Sequence, residues 1–405
     1  MEVKTNGKTH DLSGLERQES LFRPPFTIKD RTLVARGAKM GAPTTLRLEE
    51  VRDYLKKLDE KQDPKDPERS LDQLHIDFED GHMKGRFLER DGLSLERMLV
   101  TDNGASQLAR DVLPSRFFGG LRELAQMDEQ GEKLATMVWT KFGRNQEKPR
   151  MIRTVNMQVG GDVRRVIRSC HSQGYAPYSN LQFAQDLLDH AGDYAELPVL
   201  DWQVTDSAMR LRFAAIDAEL AVLRHFDAEQ LKHEPVPMIE VWNSEVGRRR
   251  VGLRGGMWRM VCTNGMGHWN DKKEWNWIHR GDPARIQQGV RSAFKDLIVT
   301  ANGVVDAYND ALGVAIDDAY TWMEEELTRS KVTERVKASA RIALTHPTTT
   351  AGGSLASVVD AVTLIAQDES DIFGQYDLER VGAQLLKRGL SQALKSGNNT
   401  ITARS

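Results

Sequence analysis

Cysteine is almost missing from this chain: Cys170 and Cys262 are the two in 405 residues. They lie far apart and form no CxxC pair. A disulfide framework and a cysteine-built zinc site are therefore excluded, and a reducing compartment with both thiols free or buried is expected. Long apolar runs are missing as well. No stretch approaches the roughly 18 apolar residues that a membrane span requires. The opening residues, MEVKTNGKTHDLSG, carry no apolar core, so no secretory signal is expected. An excess of positive charge is also absent. The net charge is -3 at pH 7, so any hold on a polyanion has to come from local patches. There is no GxxxxGK[ST], which argues against P-loop ATP hydrolysis, and no GxSxG nucleophile elbow.

What is present suits a globular protein. Hydrophobic residues make up 40% and charged residues 28%, enough to bury a core in two or three domains or one elaborated one. Residues 1–45 read as irregular and polar, with FRPPF (Phe22–Phe26) as a stiff extended element. Leu48, Val51, Leu55 and Leu58 fall at helical spacing. KQDPKDPERS (Lys61–Ser70) reads as a linker or an exposed loop. In LHIDFEDGHMKGRFLE two alternating runs flank Asp80-Gly81, a hairpin signal.

Further along, Thr101–Leu113 and Gly119–Gly131 read as helices. Thr136–Phe142, Met151–Gln158 and Val163–Ser169 read as strands, and Leu181–Ala191 as a helix. Val199–Thr205 and Met209–Phe213 alternate like paired strands, Ala214–Lys232 reads as an inserted helix, and Met238–Asn243 and Val251–Cys262 resume the sheet. From Ala284 the pattern turns helical: one or two helices to Arg329, then Lys331–Leu344, Leu355–Ala366 and Leu378–Leu394. The expected fold class is α+β, a largely antiparallel sheet with flanking helices followed by a helical C-terminal region. The expected divisions are 1–70, an α+β core over 71–282, a helical region over 283–395 and a flexible tail over 396–405.

One glycine-spaced ribbon concentrates positive charge, VWNSEVGRRRVGLRGGMWRMVCTNGMGHW (Val241–Trp269). It holds Arg248, Arg249, Arg250, Arg254 and Arg259, and no acid after Glu245. On a strand Arg248 and Arg250 would share one face. Gly247, Gly252, Gly255 and Gly256 remove side chains where a backbone must come close or bend, and Trp242 and Trp258 add flat rings. Arginine with aromatic rings on a sheet is what single-stranded nucleic acid needs, guanidinium groups for phosphates and rings for bases. A surface strand paired to acids, or a subunit interface, would carry the same residues. A second basic run, DVRRVIRSCHSQGYAPYSN, holds Arg164, Arg165 and Arg168 near Tyr175. GLRGGMWR lacks the strand–GxGxxG–helix context of a dinucleotide site.

HIDFEDGH offers a different chemistry. His75, Asp77 and Glu79 would share one strand face, with His82 just past the turn. Nitrogen and oxygen ligands of this kind could hold Mg or Mn for hydrolysis. The same alternation describes an ordinary half-exposed strand whose Ile76 and Phe78 face the core. The lone His171, His268 and His279 have no carboxylate spacing that defines a catalytic dyad.

NSEVG (Asn243–Gly247), WRMVCTNGM (Trp258–Met266) and HRG (His279–Gly281), with LVTDNGASQLARDVLPSRFF (Leu99–Phe118) and VRRVIRSCHSQGYAPYSNLQFAQDLL (Val163–Leu188) upstream, resemble the phage/plasmid-like family catalogued as domain of unknown function 932. The resemblance covers about Leu99 to Leu312, with the blocks in the family's order. The alanine usual after the Val-Arg pair is replaced by Arg165-Val166-Ile167-Arg168, and Ala214–Lys232 is longer than in the family. The resemblance implies a phage, prophage or plasmid origin, a bacterial host cytoplasm, and a setting of DNA replication, recombination or anti-restriction.

The expected function is nucleic-acid binding without catalysis, most concretely the binding or annealing of single-stranded DNA, with no cofactor and no membrane. Arg164, Arg165, Arg168, Arg248, Arg249, Arg250, Arg254 and Arg259 would meet phosphates, and Tyr175, Trp242 and Trp258 would meet bases. A homo-oligomer is expected, since lining up copies gives a net-acidic subunit a continuous basic groove. The alternatives are a Mg- or Mn-dependent nuclease using His75, Asp77, Glu79 and His82, and an interaction protein that inhibits a host defence enzyme.

Overall fold

The computed structural model describes residues 33–36 and 47–403, apart from 81, 90–91, 94–95, 115, 144–145, 160, 192–198, 206, 216–234, 260–263, 268–273, 347–348, 350–352, 370–371 and 398. The FRPPF element and the inserted helix read over Ala214–Lys232 therefore fall almost wholly outside the described residues, as do Cys262 and His268. Leu33–Arg36 forms a strand inside the segment read as irregular. The chain is α+β, with antiparallel-rich sheets and a helical C-terminal region. It divides into two compact units, one over Gln62–Gln173 and one over Arg31–Lys61 with Gly174–Ser405. Strands read as one core over 71–282 thus belong to two sheets. Among the described residues no helix is long and apolar enough to cross a membrane.

The first unit is built on a sheet with the strand order Glu68–Ser70, Pro149–Val159, Asp162–Ser172, Met98–Val100, His82–Glu89, Leu74–Glu79. Strand pairing is antiparallel except between Met98–Val100 and Asp162–Ser172. The alternation in LHIDFE works as expected: Leu74, Ile76 and Phe78 are buried and the residues between them are half-exposed. They pack with Leu108, Val112, Leu121 and Trp139 from the covering helices. A Cβ at Gly104 would stand 2.8 Å from the Ile167 carbonyl, so the helix Asp102–Val112 rests directly on a strand.

Two further helices, Phe117–Met127 and Glu129–Gly143, form a tight antiparallel hairpin. The Asp128 carboxylate accepts from the Gly131 amide at 2.7 Å. A Cβ on Gly131 would come within 2.1 Å of the Leu124 carbonyl oxygen, so the joint closes only around glycine. Thr136–Phe142 is thus helical and not the strand its β-branched and aromatic residues predict. Gly131, Ala135 and Trp139, spaced by four, are its buried stripe, and packing overrides propensity.

In the second unit Leu33–Arg36, Val199–Thr205, Met209–Ala214, Val236–Asn243 and Val251–Arg259 follow one another antiparallel. Asn264–Gly267 and Glu274–Trp277 both pair with the last of these. One face is apolar. Leu211, Val241 and Leu253 stand in one cross-strand row on it, and it packs on the helices Leu48–Gln62, Asn180–Ala191 and Pro283–Leu312. The Pro283–Leu312 helix starts by rule, with Asp282 accepting from the Ala284 amide and proline at its first position. It comes so near that a Cβ at Gly255 would meet the Leu297 carbonyl at 2.7 Å.

The helices Ala319–Arg329, Glu334–Leu344, Leu355–Leu364 and Ile372–Ser396 complete this unit around Trp322, Val358, Val359 and Leu386. A short strand forms within the segment read as a tail. Thr400–Ile401 pairs in parallel with Ala315–Ile316, and Ile401 is buried. An apolar isoleucine among polar residues supplies the burial that the composition of the tail does not suggest.

Candidate nucleic-acid interface

The arginine ribbon separates into a buried strand and an exposed turn. Every residue of Val251–Arg259 is buried. Arg212, Glu240 and Arg254 stand opposite one another on three adjacent strands. Around them Arg210 bonds Glu240 and Glu379, Arg212 bonds Glu379, and Arg254 bonds Glu240. Arg212 Nε donates to Glu240 at 3.1 Å and lies near Asp201, and Arg254 Nη2 donates to Glu379 at 3.1 Å. Three guanidinium groups and three carboxylates balance within one layer. The Arg254 guanidinium lies 4.1 Å from the ring centre of Tyr376, and that of Arg212 5.1 Å from Trp258. Burial alone would raise the Glu240 carboxyl; the charges of Arg210, Arg254 and Arg212 override it and hold the group well below the usual carboxylate range.

This corrects the expected roles of four residues. Arg254 is closed off by Glu240 and Glu379. Arg259 is buried and donates to Tyr308 Oη at 2.6 Å and to the Asp360 carboxylate. Trp242 and Trp258 are buried and offer no face to a base. The Trp242 indole lies 4.9 Å from Tyr376 and fills the space above Gly252, where a Cβ would stand 2.2 Å from the ring. An arginine–tryptophan sheet face exists, and the helix Ile372–Ser396 covers it.

Arg164, Arg165 and Arg168 belong to the first unit. Arg168 is buried. Arg165 has a 7% exposed side chain that donates to Thr154 Oγ1, Asn156 Oδ1 and the Asp63 carbonyl. These two are likewise corrected from surface to interior. Arg164 is exposed, 3.3 Å from Asp162.

The turn over 244–250 is where charge reaches solvent. Gly247 takes φ +68°, the Ser244 carbonyl accepts from its amide at 3.0 Å, and Ser244 Oγ accepts from the Arg248 amide at 3.0 Å. Arg248 and Arg250 are exposed. Arg248 Nη1 donates to Ser207 Oγ at 3.2 Å. Arg249 is half-buried, with Nη2 2.7 Å from the Asp377 carboxylate and its guanidinium over Tyr376.

Segments distant in sequence converge on this turn. Asn243 Nδ2 donates to the Tyr178 carbonyl at 2.9 Å and to Asn180 Oδ1 at 3.0 Å. The Glu245 carboxylate accepts from the Asn180 amide at 2.6 Å. Half-buried Tyr175 donates to the Glu245 carbonyl at 3.0 Å and stacks on His279, with 5.2 Å between ring centres. The NSEVG and HRG blocks are thus joined as a structural junction. Val251 pairs with Trp277, so the chain enters and leaves the sheet at one end with Arg248–Arg250 and Ile278–Arg280 side by side. Arg280 is exposed and bridges to Tyr175 through the backbone. Sequence reasoning passed over it, although HRG contained it. Only the register reveals its company.

The alternative metal cluster keeps its shared face but not its free ligands. His75 Nε2 and Asp77 Oδ1 are 2.7 Å apart, Arg86 donates to Asp77 Oδ2 at 2.7 Å, and Glu79 accepts from Lys84 at 3.0 Å and from Arg97. His82 pairs with Glu79 in register, and burial lowers its pKa. Cations already neutralise both carboxylates. Among the described residues no three His, Cys, Asp or Glu side chains are grouped to hold a metal ion. The chain matches no family model, no curated protein and no solved structure.

Proposed function

We propose that this chain binds nucleic acid, single-stranded DNA first among the candidates, through the end of the second unit's sheet where Arg248, Arg249, Arg250 and Arg280 emerge. The observation that carries the reading is their convergence: a turn held by Ser244 and Gly247, and a neighbouring segment fixed by the Val251–Trp277 pairing. Arginine at such a surface meets phosphate in a bidentate fashion. With Trp242 and Trp258 buried, contact is to the backbone of the strand and stacking is a minor part of it. The blocks that form the junction are also those that resemble the phage/plasmid-like family, which favours a role in phage or plasmid DNA replication or recombination in a bacterial cytoplasm.

The test is fluorescence anisotropy with labelled single-stranded and duplex DNA over a range of salt, with and without magnesium, followed by inspection of the probe for cleavage. Each phosphate neutralised on a single strand contributes about -0.7 to the slope of log K against log salt. Replacing Arg248, Arg250 and Arg280 by alanine should weaken binding and flatten the slope by up to about 2. Binding that is absent at low salt, or unmoved by the triple substitution, overturns the proposal and turns the arginines toward a protein partner.

A further inference from the structure

The strand Leu74–Glu79 stands at the edge of the first unit's sheet, paired on one side with His82–Glu89. Its other side runs beside the helix Glu129–Gly143, where the Phe78 amide donates to Thr136 Oγ1 at 3.0 Å. Main-chain groups on an antiparallel strand alternate between its two sides, residue by residue. The amide and carbonyl of Ile76 and the carbonyl of Leu74 therefore point the same way as the Phe78 amide. The Leu74 amide is spent on the Leu71 carbonyl. What is left is a row along the edge: an acceptor at Leu74, then a donor and an acceptor at Ile76. Ile76 is 1% exposed, and among the described residues no hydrogen-bonding group meets these three. Buried main-chain groups without partners are rare, so the row calls for a ligand or water.

A cavity of about 180 Å³ opens there, with Leu74, Ile76, Trp139 and Thr140 in its lining. Thr136 and Thr140 are one helical turn apart, ~6.0 Å along the axis, and Phe78 and Ile76 are ~6.6 Å apart along the strand. The helix thus sets Thr140 beside Ile76 as it sets Thr136 beside Phe78, but no bond joins the second pair and the cavity lies between them. Leu71 and Trp139 are buried apolar walls, and Asp72 and Leu88 are exposed at the mouth. Roughly 150 Å³ takes a benzene ring, so this space suits one flat heteroaromatic ring system. Apolar walls with a few polar groups on one side are the usual make-up of a small-molecule site.

We infer that this cavity binds an adenine ring. A flat ligand meeting the row needs an acceptor for the Ile76 amide and, next to it, a donor for a carbonyl. Adenine carries that pair, a ring nitrogen beside its amino group. Laid either way along the row, it puts the nitrogen on the Ile76 amide and the amino group on a carbonyl. Guanine would set its N1–H, and uracil or thymine its N3–H, against the Ile76 amide. Cytosine would set its O2 against one of the two carbonyls. The reading is done by main chain, which is why no side-chain motif in the sequence announces it.

The test is isothermal titration of the full chain with adenosine. Adenosine carries no phosphate, so the outcome is independent of the arginine surface proposed for DNA. Adenosine is expected to bind. N6,N6-dimethyladenosine, which has lost the donor, and uridine should each bind about tenfold or more weakly, the cost of one misread base edge. The riboside of 2,6-diaminopurine, with a second amino group for the other carbonyl, should bind more tightly. Thr140→Leu fills the cavity from a half-buried helical position and should abolish adenosine binding with an unchanged circular dichroism spectrum. Should that variant not fold, the analogue series decides alone. With adenosine bound, displacement by oligo(dA) and not by oligo(dT) of equal length identifies a base within a strand as the source of the ring. No displacement identifies a free nucleoside, and both results support the site. No binding of adenosine, equal binding of uridine, or undiminished binding to folded Thr140→Leu overturns it.

Discussion

Arg254 and Glu240 sit opposite each other on neighbouring strands, paired in register and both out of reach of solvent. Arg250, four residues earlier on the same ribbon, is exposed. The division between a structural arginine and a candidate ligand arginine falls inside one short stretch of sequence.

Glu240→Gln leaves Arg210, Arg212 and Arg254 short of a buried counter-charge. The expected loss is about 3–5 kcal/mol of folding stability, the usual result of breaking a buried pair from one side. Denaturant unfolding at neutral pH measures it. The Glu240 pKa is lowered in the folded state, so its contribution is fully present above the unfolded value near 4.5 and fades as pH falls toward the folded one. The Gln variant should lose less stability than the unaltered protein between pH 5 and about pH 2.

Gly252→Ala puts a methyl group into the Trp242 indole, 2.2 Å away. The ring has Tyr376 on its other side at 4.9 Å and cannot retreat. A destabilisation of about 1–3 kcal/mol is expected from overpacking, read as a lower midpoint in thermal unfolding followed by tryptophan fluorescence.

Asp377→Ala frees the Arg249 guanidinium from its carboxylate partner. Under the proposed function this variant should bind single-stranded DNA more tightly, with a salt slope steeper by about 0.7, the value of one further phosphate contact. An unchanged slope would place Arg249 outside the interface.

The thiol of Cys170 is buried, and that burial pushes its pKa up to about 12. Thiolate is the reactive form. In a Cys262→Ser background an alkylating reagent at pH 8 should leave the folded protein unlabelled and modify Cys170 only after denaturant is added. Mass spectrometry reads the result directly.

Much of the fold could be read from local pattern. The alternation in LHIDFE, the paired strands near residues 200 and 210, and the helices of the C-terminal third needed only periodicity. The helix over Thr136–Phe142 did not show, because Thr136, Val138, Thr140 and Phe142 favour a strand and only the packing of Ala135 and Trp139 against the sheet decides otherwise. Of the candidate site, the concentration of arginine at Arg248–Arg250 was legible in the letters; that the three stand on a turn and not along a strand was not. The burial of Arg254 was not, since Glu379, which closes over it, is 125 residues away. Arg259 is covered by Asp360 in the same way, 101 residues on. Arg280 escaped notice for the mirror-image reason: strand register, invisible in a string of letters, is what sets it beside the turn.

The Glu245 carboxylate has a consequence for any anion approaching this end of the sheet. The first turn of Asn180–Ala191 points its amides there, and a helix start is ordinarily a ready receptor for phosphate. Glu245 already occupies that position, so the positive pole of the helix is neutralised from within the protein. Under the proposed function, attraction at this surface is left to the arginine side chains, whose hold on phosphate yields to salt.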